Sequence, residues 1–384
     1  MRLQNVGTAV TFFLLPAATR AATYNLIKQY AGSTFFNDWD FYDHFDDKMN
    51  GDVNFVSASV GASARLAYVD SNTNRAIIKV DNTSTVPWNE KRNAVRITSK
   101  DSYPIGSLWI ADIYHAPYGV SSLKGAYSPV LIKDPKSAGL SPGTQHGLRE
   151  GAEIDVFEGV NAMPTSQMGL HTTAGCVQRN PNQLTTLVNS TDCAGDNNAG
   201  CMLTNTHPSS YGPAFAAAQG GVFITEFAES GISVWFMARK DIPSSLTGAS
   251  AIDTSTLGTP MGNWPQTGCD IKNFFQSQNL VFTVTLCGDF AGPPNIFNAT
   301  CTGTCYLDYV IKDPSNYDNA YFDIASVRVF SSNPSATTIS PSSTSTSSPS
   351  QSSQTSNGLN LASLRAFTST VFGALLGIAG LELY

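Results

Sequence analysis

Short runs of apolar and β-branched residues, separated by turn residues, recur from residue 24 to residue 330. Asn, Gly, Ser and Pro fill the intervals, and no stretch keeps a long helical period. Many short strands joined by turns in one long unit are typical of an antiparallel β-sandwich, so we predict an all-β fold. The predicted strands are Val53–Val56, Ala76–Val80, Ala94–Thr98, Leu108–Ile113, Val222–Phe227, Ile232–Met237, Leu280–Leu286 and Ile324–Phe330.

One stretch combines strand character with three carboxylates. From Glu150 to Gly159 the chain reads E-G-A-E-I-D-V-F-E-G. In a regular strand Glu153 and Asp155 share a face, but Glu158 lies on the other face because it is an odd number of residues from Glu153. One extra residue, a β-bulge, would return Glu158 to the face of the other two. Val156 and Phe157 in the interval are both apolar, and in a regular strand Phe157 would share the face of the carboxylates. A bulge at this pair would let both side chains avoid that face, so we predict an irregular ladder at Val156–Phe157. The alternative is an ordinary strand with a solvated acidic face.

Composition narrows the class of protein. Only 13% of the 384 residues are charged, and the formal net charge is −7, so nucleic acid and anionic lipid are poor partners. The 31 glycines and 20 prolines agree with a turn-rich β protein.

The acidic stretch and its surroundings resemble glycoside hydrolase family 16, in the branch with a bulged E-x-D-x-x-E signature that includes laminarinases and endo-1,3(4)-β-glucanases. The similar segments are 91–100, 110–113, 153–161, 168–176, 196–201, 211–215, 233–236, 264–271 and 284–292. The resemblance implies a jelly roll whose concave sheet forms the substrate cleft. It also implies a monomer that acts on β-glucan polysaccharide and needs neither a metal nor an organic cofactor.

The resemblance also assigns roles to individual residues. Glu153 matches the nucleophile and Glu158 the acid/base of a retaining mechanism, and Asp155 between them would orient Glu153 and help to keep Glu158 protonated. A structural hydrogen-bonding role for Asp155 is the alternative. His171 would make a polar contact near the nucleophile or substrate, or be a buried structural histidine. Asn161, just after the strand, would bind sugar hydroxyls or form a turn.

The tryptophans differ in their expected roles. Trp109, Trp235 and Trp264 are core residues by default, and Trp264 is the best of them for stacking on a sugar because it lies in a loop-like N-W-P sequence. Members of the family usually carry a cysteine and a tryptophan-rich segment shortly before the catalytic strand. The corresponding interval here, 119–149, has neither. Its donor subsites are therefore rebuilt, or the gene model is wrong at this point.

Both ends of the chain have the composition of targeting segments. Arg2 and the apolar run from Val6 to Ala18 predict a signal peptide, residues 1–21, ending at Ala21; Pro16 disfavours the alternative of a buried helix. After the catalytic domain, residues 22–330, a Ser/Thr-rich segment at 331–357 predicts an O-glycosylated stalk. Small residues and an apolar tail at 358–384 predict attachment of a glycosylphosphatidylinositol (GPI) anchor, with a transmembrane anchor as the alternative. We thus expect an extracellular protein at the cell surface or wall, in contact with the membrane only through this lipid.

The seven cysteines fit this location. They lie between 176 and 305, and in a secreted protein they predict disulfides with one thiol left over. Asn82, Asn189 and Asn298 begin N-glycosylation sequons.

Three functions remain open. The favoured one is a retaining endo-β-glucanase acting on β-1,3- or mixed β-1,3/1,4-glucan. The second is a transglycosylase, which would use the same glycosyl-enzyme. The third is a non-catalytic glucan-binding wall protein, which would not need an acid/base pair.

Overall fold

The computed structural model describes residues 23–119, 152–188, 190–195, 199–333 and 335, together with the backbone of 127–134. The predicted signal peptide, nearly all of the predicted stalk, the C-terminal tail and the sequon at Asn189 lie outside the described residues. Of the atypical interval at 119–149, only Gly119 and the backbone of 127–134 are described.

Two large antiparallel sheets pack face to face, which confirms the predicted all-β sandwich of the jelly-roll type. The first sheet follows the order β16-β1-β19-β9-β14-β15-β17, with β6 and β5 added beside β19. Its strands are β1 Thr23–Ala31, β5 Ala67–Val69, β6 Ala76–Lys79, β9 Ser107–His115, β14 Gly221–Ala228, β15 Gly231–Ala238, β16 Ala251–Asp253, β17 Gly262–Pro265 and β19 Tyr321–Ser331.

The second sheet follows the order β13-β12-β11-β10-β18-β8-β2, so the acidic strand β11 lies inside it rather than at an edge. Its strands are β2 Trp39–Phe41, β8 Arg96–Tyr103, β10 Tyr127–Asp134, β11 Glu153–Glu158, β12 Gln167–His171, β13 Cys201–Thr204 and β18 Gln278–Leu286.

A small third sheet contains part of a run that the sequence predicted as a single strand. It consists of β3 His44–Phe45, β4 Val53–Phe55 and β7 Arg92–Ala94, with β4 and β7 parallel. The run Ala94–Thr98, predicted as one strand, is divided at Val95, because β7 pairs with β4 whereas β8 pairs with β18 and β2. The apolar pattern marks both halves as buried but cannot show that the chain passes from one sheet to another.

Helices in the described residues are short, as the lack of a long helical period predicts. The α-helices are α1 Ala58–Ser63, α2 Gly212–Ala217, α3 Ile271–Phe274, α4 Gly288–Ala291 and α5 Pro294–Thr300. A seven-residue 3₁₀ helix lies at Gly32–Asp38, and short 3₁₀ turns lie at Arg239–Asp241, Ser244–Leu246, Thr254–Thr256 and Pro314–Tyr317. A π-helical turn lies at Cys305–Val310. Within these described ranges, no helix has the length and apolarity required to span a bilayer.

The first sheet is apolar on both faces, which explains its uninterrupted apolar runs. Along β9, Trp109 and Ile113 enter the core between the sheets, whereas Leu108 and Ile110 join a second cluster on the outer face. The second sheet contributes to the core through one face, on which Ile154 of β11 and Leu170 of β12 are fully buried. Its other face is therefore the one that can carry polar groups.

Disulfides use six of the seven cysteines, all of which are described. The bonds are Cys176–Cys269, Cys193–Cys201 and Cys287–Cys305, and Cys301 is a buried free thiol. The predicted odd thiol is confirmed, and the structure identifies it as Cys301.

Candidate active site

The register between β11 and β12 contains the predicted bulge. Glu153 pairs with His171 and Asp155 with Gly169, but Glu158 pairs with Gln167, so that Val156 and Phe157 together oppose one residue of β12. The extra residue returns Glu158 to the face that holds Glu153 and Asp155. The sequence-based prediction of an irregular ladder at this position is confirmed.

Packing explains why both apolar residues of the bulge turn towards the core. The Phe157 ring lies between the sheets, with its centroid 5.0 Å from that of Phe223 and 5.9 Å from that of Tyr211. Val156 is also buried in this cluster. Burial of a Val and a Phe side chain contributes about 1.5–3 kcal/mol each, and a regular strand would forfeit one of these contributions by turning one side chain outward.

The neighbouring strand β12 places its own polar side chains beside the carboxylates. His171 Nε2 lies 3.0 Å from Asp155 Oδ2, and Gln167 Nε2 donates a hydrogen bond of 3.4 Å to Glu158 Oε2. Between them, Gly169 leaves room for the Met202 side chain of β13, since a Cβ atom at Gly169 would collide with the Met202 sulfur. Carboxylates, an imidazole, an amide and a thioether thus share one face of three adjacent strands.

Burial governs the charges at this site. Asp155 is 2% exposed and Glu158 is 9% exposed, whereas Glu153 is half-buried. Burial, and after it the charge of Asp155, raise the pKa of the Glu158 carboxyl to about 8, against the opposing effects of His171 and the Gln167 amide. Burial raises the pKa of Asp155 as well. Near neutral pH, Glu158 is therefore a protonated acid beside the half-buried Glu153.

Asn161 occupies a tight turn. Its backbone adopts a left-handed conformation with φ of 53°, which Asn tolerates better than most residues. The side chain is buried and donates from Nδ2 to the Ala291 carbonyl oxygen at 3.2 Å. Of the two predicted roles, this geometry favours the turn over the binding of sugar hydroxyls.

Trp264 does not lie on an exposed loop. It belongs to β17, pairs with Ile232, and is fully buried in the main core. Stacking on a sugar requires an exposed ring face, so this location does not support the stacking role suggested by the N-W-P sequence. Trp109 and Trp235 are buried too, which agrees with the default prediction for them.

Gln167 and Met202 are the residues at this site that the sequence analysis did not single out. Neither lies next to the acidic stretch in sequence, and both reach it only through strand pairing. Alternation along β12 is the one signal that could have indicated Gln167, since Gln167, Gly169 and His171 share a face.

No group of three or more His, Cys, Asp or Glu side chains suited to a metal ion occurs among the residues that the structure describes. The absence of a metal and of an organic cofactor from the reaction stays a prediction from the resemblance.

Comparison with known proteins agrees with this geometry. Residues 39–330 match a family model described as an XgeA-like, catalytic GH16 domain. The chain belongs to glycoside hydrolase family 16. A family 16 catalytic domain makes the protein a glycoside hydrolase, as the acidic stretch led us to predict.

Curated relatives of this family 16 chain come from fungi. A probable glycosidase of Schizosaccharomyces pombe is 33% identical over 316 residues, which cover 81% of this chain and 70% of the relative. A probable endo-1,3(4)-β-glucanase of Aspergillus fumigatus is 32% identical over 343 residues, covering 85% of this chain and 49% of the relative. This chain thus spans about half the length of the Aspergillus protein.

Two solved structures resemble the family 16 domain closely. One is laminarinase 16A from Phanerochaete chrysosporium with β-glucans in its donor and acceptor sites; it has 33% identity and a TM-score of 0.73 and covers 80% of this chain and 100% of its own. The other is an elongating family 16 β-1,3-glucosyltransferase, with 32% identity, a TM-score of 0.70 and the same coverage.

Proposed function

We propose that this chain is a retaining endo-β-glucanase that hydrolyses β-1,3- or mixed β-1,3/1,4-glucan by double displacement. The observation that carries the proposal is the bulge in β11, which brings Glu158 to the same face as Glu153 and buries it there. The substrate class is supported by the endo-1,3(4)-β-glucanase among the relatives and by the β-glucan-bound laminarinase.

In the first step, the Glu153 carboxylate attacks the anomeric carbon and forms a glycosyl-enzyme ester. Glu158 gives its proton to the glycosidic oxygen, so that the leaving sugar departs as an alcohol. In the second step, ionised Glu158 removes a proton from water, the oxygen of that water attacks the anomeric carbon, and Glu153 is released as a carboxylate. The two inversions retain the anomeric configuration. Retaining enzymes require the two carboxyl groups to be about 5–5.5 Å apart, which two residues on one strand face can achieve.

Asp155 and His171 support this pair. Asp155 lies two residues from Glu153 on the same face, and its contact with His171 fixes the orientation of its carboxyl group. When Asp155 is ionised, its charge also favours the protonated form of Glu158, which the first step needs.

The experiment is an activity screen on laminarin, lichenan and cellulose, in which reducing ends are measured. We expect activity on laminarin or lichenan, and none from the Glu153→Gln control. Glu153→Ala should lose nearly all turnover, and added azide should then yield an α-glycosyl azide, because azide attacks from the face that the nucleophile has left. Wild-type turnover in Glu153→Ala would exclude Glu153 as the nucleophile.

Transglycosylation is the second candidate, and the similarity to the elongating glucosyltransferase favours it. The same glycosyl-enzyme would react with a sugar hydroxyl instead of water. Incubation with laminari-oligosaccharides at high concentration separates the two, since a transferase makes products longer than the substrate. A non-catalytic glucan-binding protein is disfavoured by the buried acid and by the catalytic family.

We also propose that the protein is secreted and held at the cell surface or wall by a C-terminal lipid. The three disulfides support an oxidising compartment. Asn298 is exposed on α5, where a glycan can be attached. Phosphatidylinositol-specific phospholipase should release the protein from membranes. A mature protein that retains the peptide Ala366 to Tyr384 would contradict the anchor.

A further inference from the structure

Gln167 lies directly opposite Glu158 across the bulge. The two residues are register partners on β12 and β11, and Gln167 Nε2 donates to Glu158 Oε2 at 3.4 Å. Gln167 is only 8% exposed, so water has little access to this contact. Among the hydrogen bonds of the described residues, this is the one that reaches the Glu158 carboxyl group.

A buried acid/base faces opposite requirements in the two steps. It must be protonated when it donates to the leaving sugar and ionised when it activates water. Burial favours the protonated form, because a buried carboxylate loses its hydration. The ionised form therefore needs a compensating group that stays in place through both steps.

The neighbours of Glu158 on its own strand and on the two adjacent strands differ in their effect on its ionisation. Asp155 on its own strand is acidic and disfavours ionisation, whereas Glu153 carries no charge once it is esterified in the glycosyl-enzyme. The register partner on β10 is Val130, a residue without charge. His171 on β12 favours ionisation, but its close contact is with Asp155. Gln167 is thus the group in direct contact with Glu158 that stabilises the carboxylate.

A carboxamide is suited to both states of its partner. Its NH₂ group donates to a carboxylate, and its oxygen accepts from a protonated carboxyl after the amide rotates. We propose that Gln167 is a positioning residue that hydrogen-bonds Glu158 in both protonation states and so supports its change from acid to base between the two steps. This inference rests on the proposed assignment of Glu158 as the acid/base.

The proposal predicts which step suffers when Gln167 is replaced. Gln167→Met keeps the length of the side chain and removes both hydrogen-bonding ends. Ionised Glu158 then loses its direct donor, so activation of water should slow more than donation to the leaving group. Loss of one hydrogen bond to a charged group corresponds to about a 10- to 100-fold reduction in the rate of deglycosylation.

The experiment uses the full chain and an aryl β-laminaribioside whose leaving group needs little protonation. With this substrate we expect Gln167→Met to show a burst of phenol, which indicates accumulation of the glycosyl-enzyme. On laminarin, whose leaving sugar must be protonated, kcat/KM falls at basic pH as Glu158 ionises. This basic limb of the pH profile should move to higher pH in Gln167→Met, because Glu158 has lost the hydrogen bond that favours its ionised form. Gln167→Glu should move the limb further, because it adds a carboxyl group beside Glu158. Thr204→Val is the matched control: Thr204 is the register partner of Gln167 on β13, and both that limb and the burst should match the wild type.

If Gln167 had a purely structural role, Gln167→Met would have a lower melting temperature but would show neither a burst of phenol nor a shift in the basic limb of the kcat/KM profile. That result would overturn the proposal. The wild-type protein provides a test that does not depend on folding of the variant. The ¹⁵N-labelled side-chain amide of Gln167 should titrate together with Glu158, and this titration should vanish in Glu158→Gln. An amide signal that is constant across pH would also overturn the proposal. Failure of the glucanase assignment gives a different result, namely no turnover by the wild type on laminarin or the aryl glycoside.

Discussion

Deleting one residue of the bulge tests the relation between register and chemistry. Removal of Val156 leaves the sequence E-I-D-F-E, which alternates regularly. The Phe157 ring would stay on the core side, and Glu158 would stay on the face of Glu153. Removal of Phe157 gives the same alternation but leaves Val156 in the space of an aromatic ring. Both variants preserve the carboxylate row, and they differ in what fills the core.

The structure sets the size of that difference. The Phe157 ring packs against Tyr211, Phe215, Phe223 and Phe322, and all of these contacts lie in the buried core. Truncation of a buried Phe to Ala costs about 3–5 kcal/mol, and a Val side chain restores part of that. We expect the variant without Phe157 to be less stable by about 1–2 kcal/mol than the variant without Val156. For a domain of this size, this corresponds to roughly 2–3 °C in melting temperature.

The assays are differential scanning calorimetry and turnover of laminarin, with Glu158→Gln as the inactive control. The variant without Val156 should retain partial activity. Insertion of Ala between Val156 and Phe157 should abolish activity, because it turns Glu158 towards the core, where an unpaired charge costs several kcal/mol or more. A folded but inactive variant without Val156, or equal stability of the two deletions, would refute this account of the bulge.

Four further predictions concern single residues. The pKa of Glu158 is about 8 in the folded protein and about 4.3 in an unfolded chain, chiefly because the folded carboxyl is buried. The contribution of Glu158 to stability is therefore fully present below about pH 4.3 and is lost as pH rises through 8. Between pH 5 and pH 9, the melting temperature of Glu158→Gln should fall less than that of the wild type. Arg92→Met should cost at least about 3 kcal/mol in denaturant unfolding, because the fully buried guanidinium donates to four backbone carbonyls that would be left unpaired; a loss below 1 kcal/mol would show that water replaces it. Cys176→Ser opens a cross-link between residues 93 positions apart and should lower stability by about 4 kcal/mol, and an unchanged unfolding midpoint would argue against the Cys176–Cys269 bond. Trp264→Phe should lower the melting temperature and leave KM for laminarin unchanged, whereas a raised KM at constant stability would restore the sugar-stacking role.

Local sequence determined a large part of the architecture. Strands β9, β14, β15, β18 and β19 follow from apolar runs between turn residues, since burial of these runs on one or both faces stabilises their extended pairing. Other strands of the two sheets, among them β1, β12 and β17, were not predicted from such runs. The odd spacing between Glu153 and Glu158 raised the question of a bulge, because side chains alternate along a strand with a period of two. The prediction itself also used the apolar pair Val156–Phe157 and the resemblance to a bulged E-x-D-x-x-E signature. The odd count of cysteines likewise required a free thiol.

Tertiary structure decided what depends on a partner that is distant in sequence. Trp264 lies in the core because β17 pairs with β15, which a local N-W-P sequence cannot show. The identity of the free thiol, Cys301, depends on which sulfur atoms the fold brings together. Gln167 meets Glu158 because the bulge moves the register of β11 against β12 by one residue. Alternation along the chain fixes which face a side chain occupies, but only strand pairing fixes its neighbour on that face, and the protonation state of Glu158 depends on those neighbours.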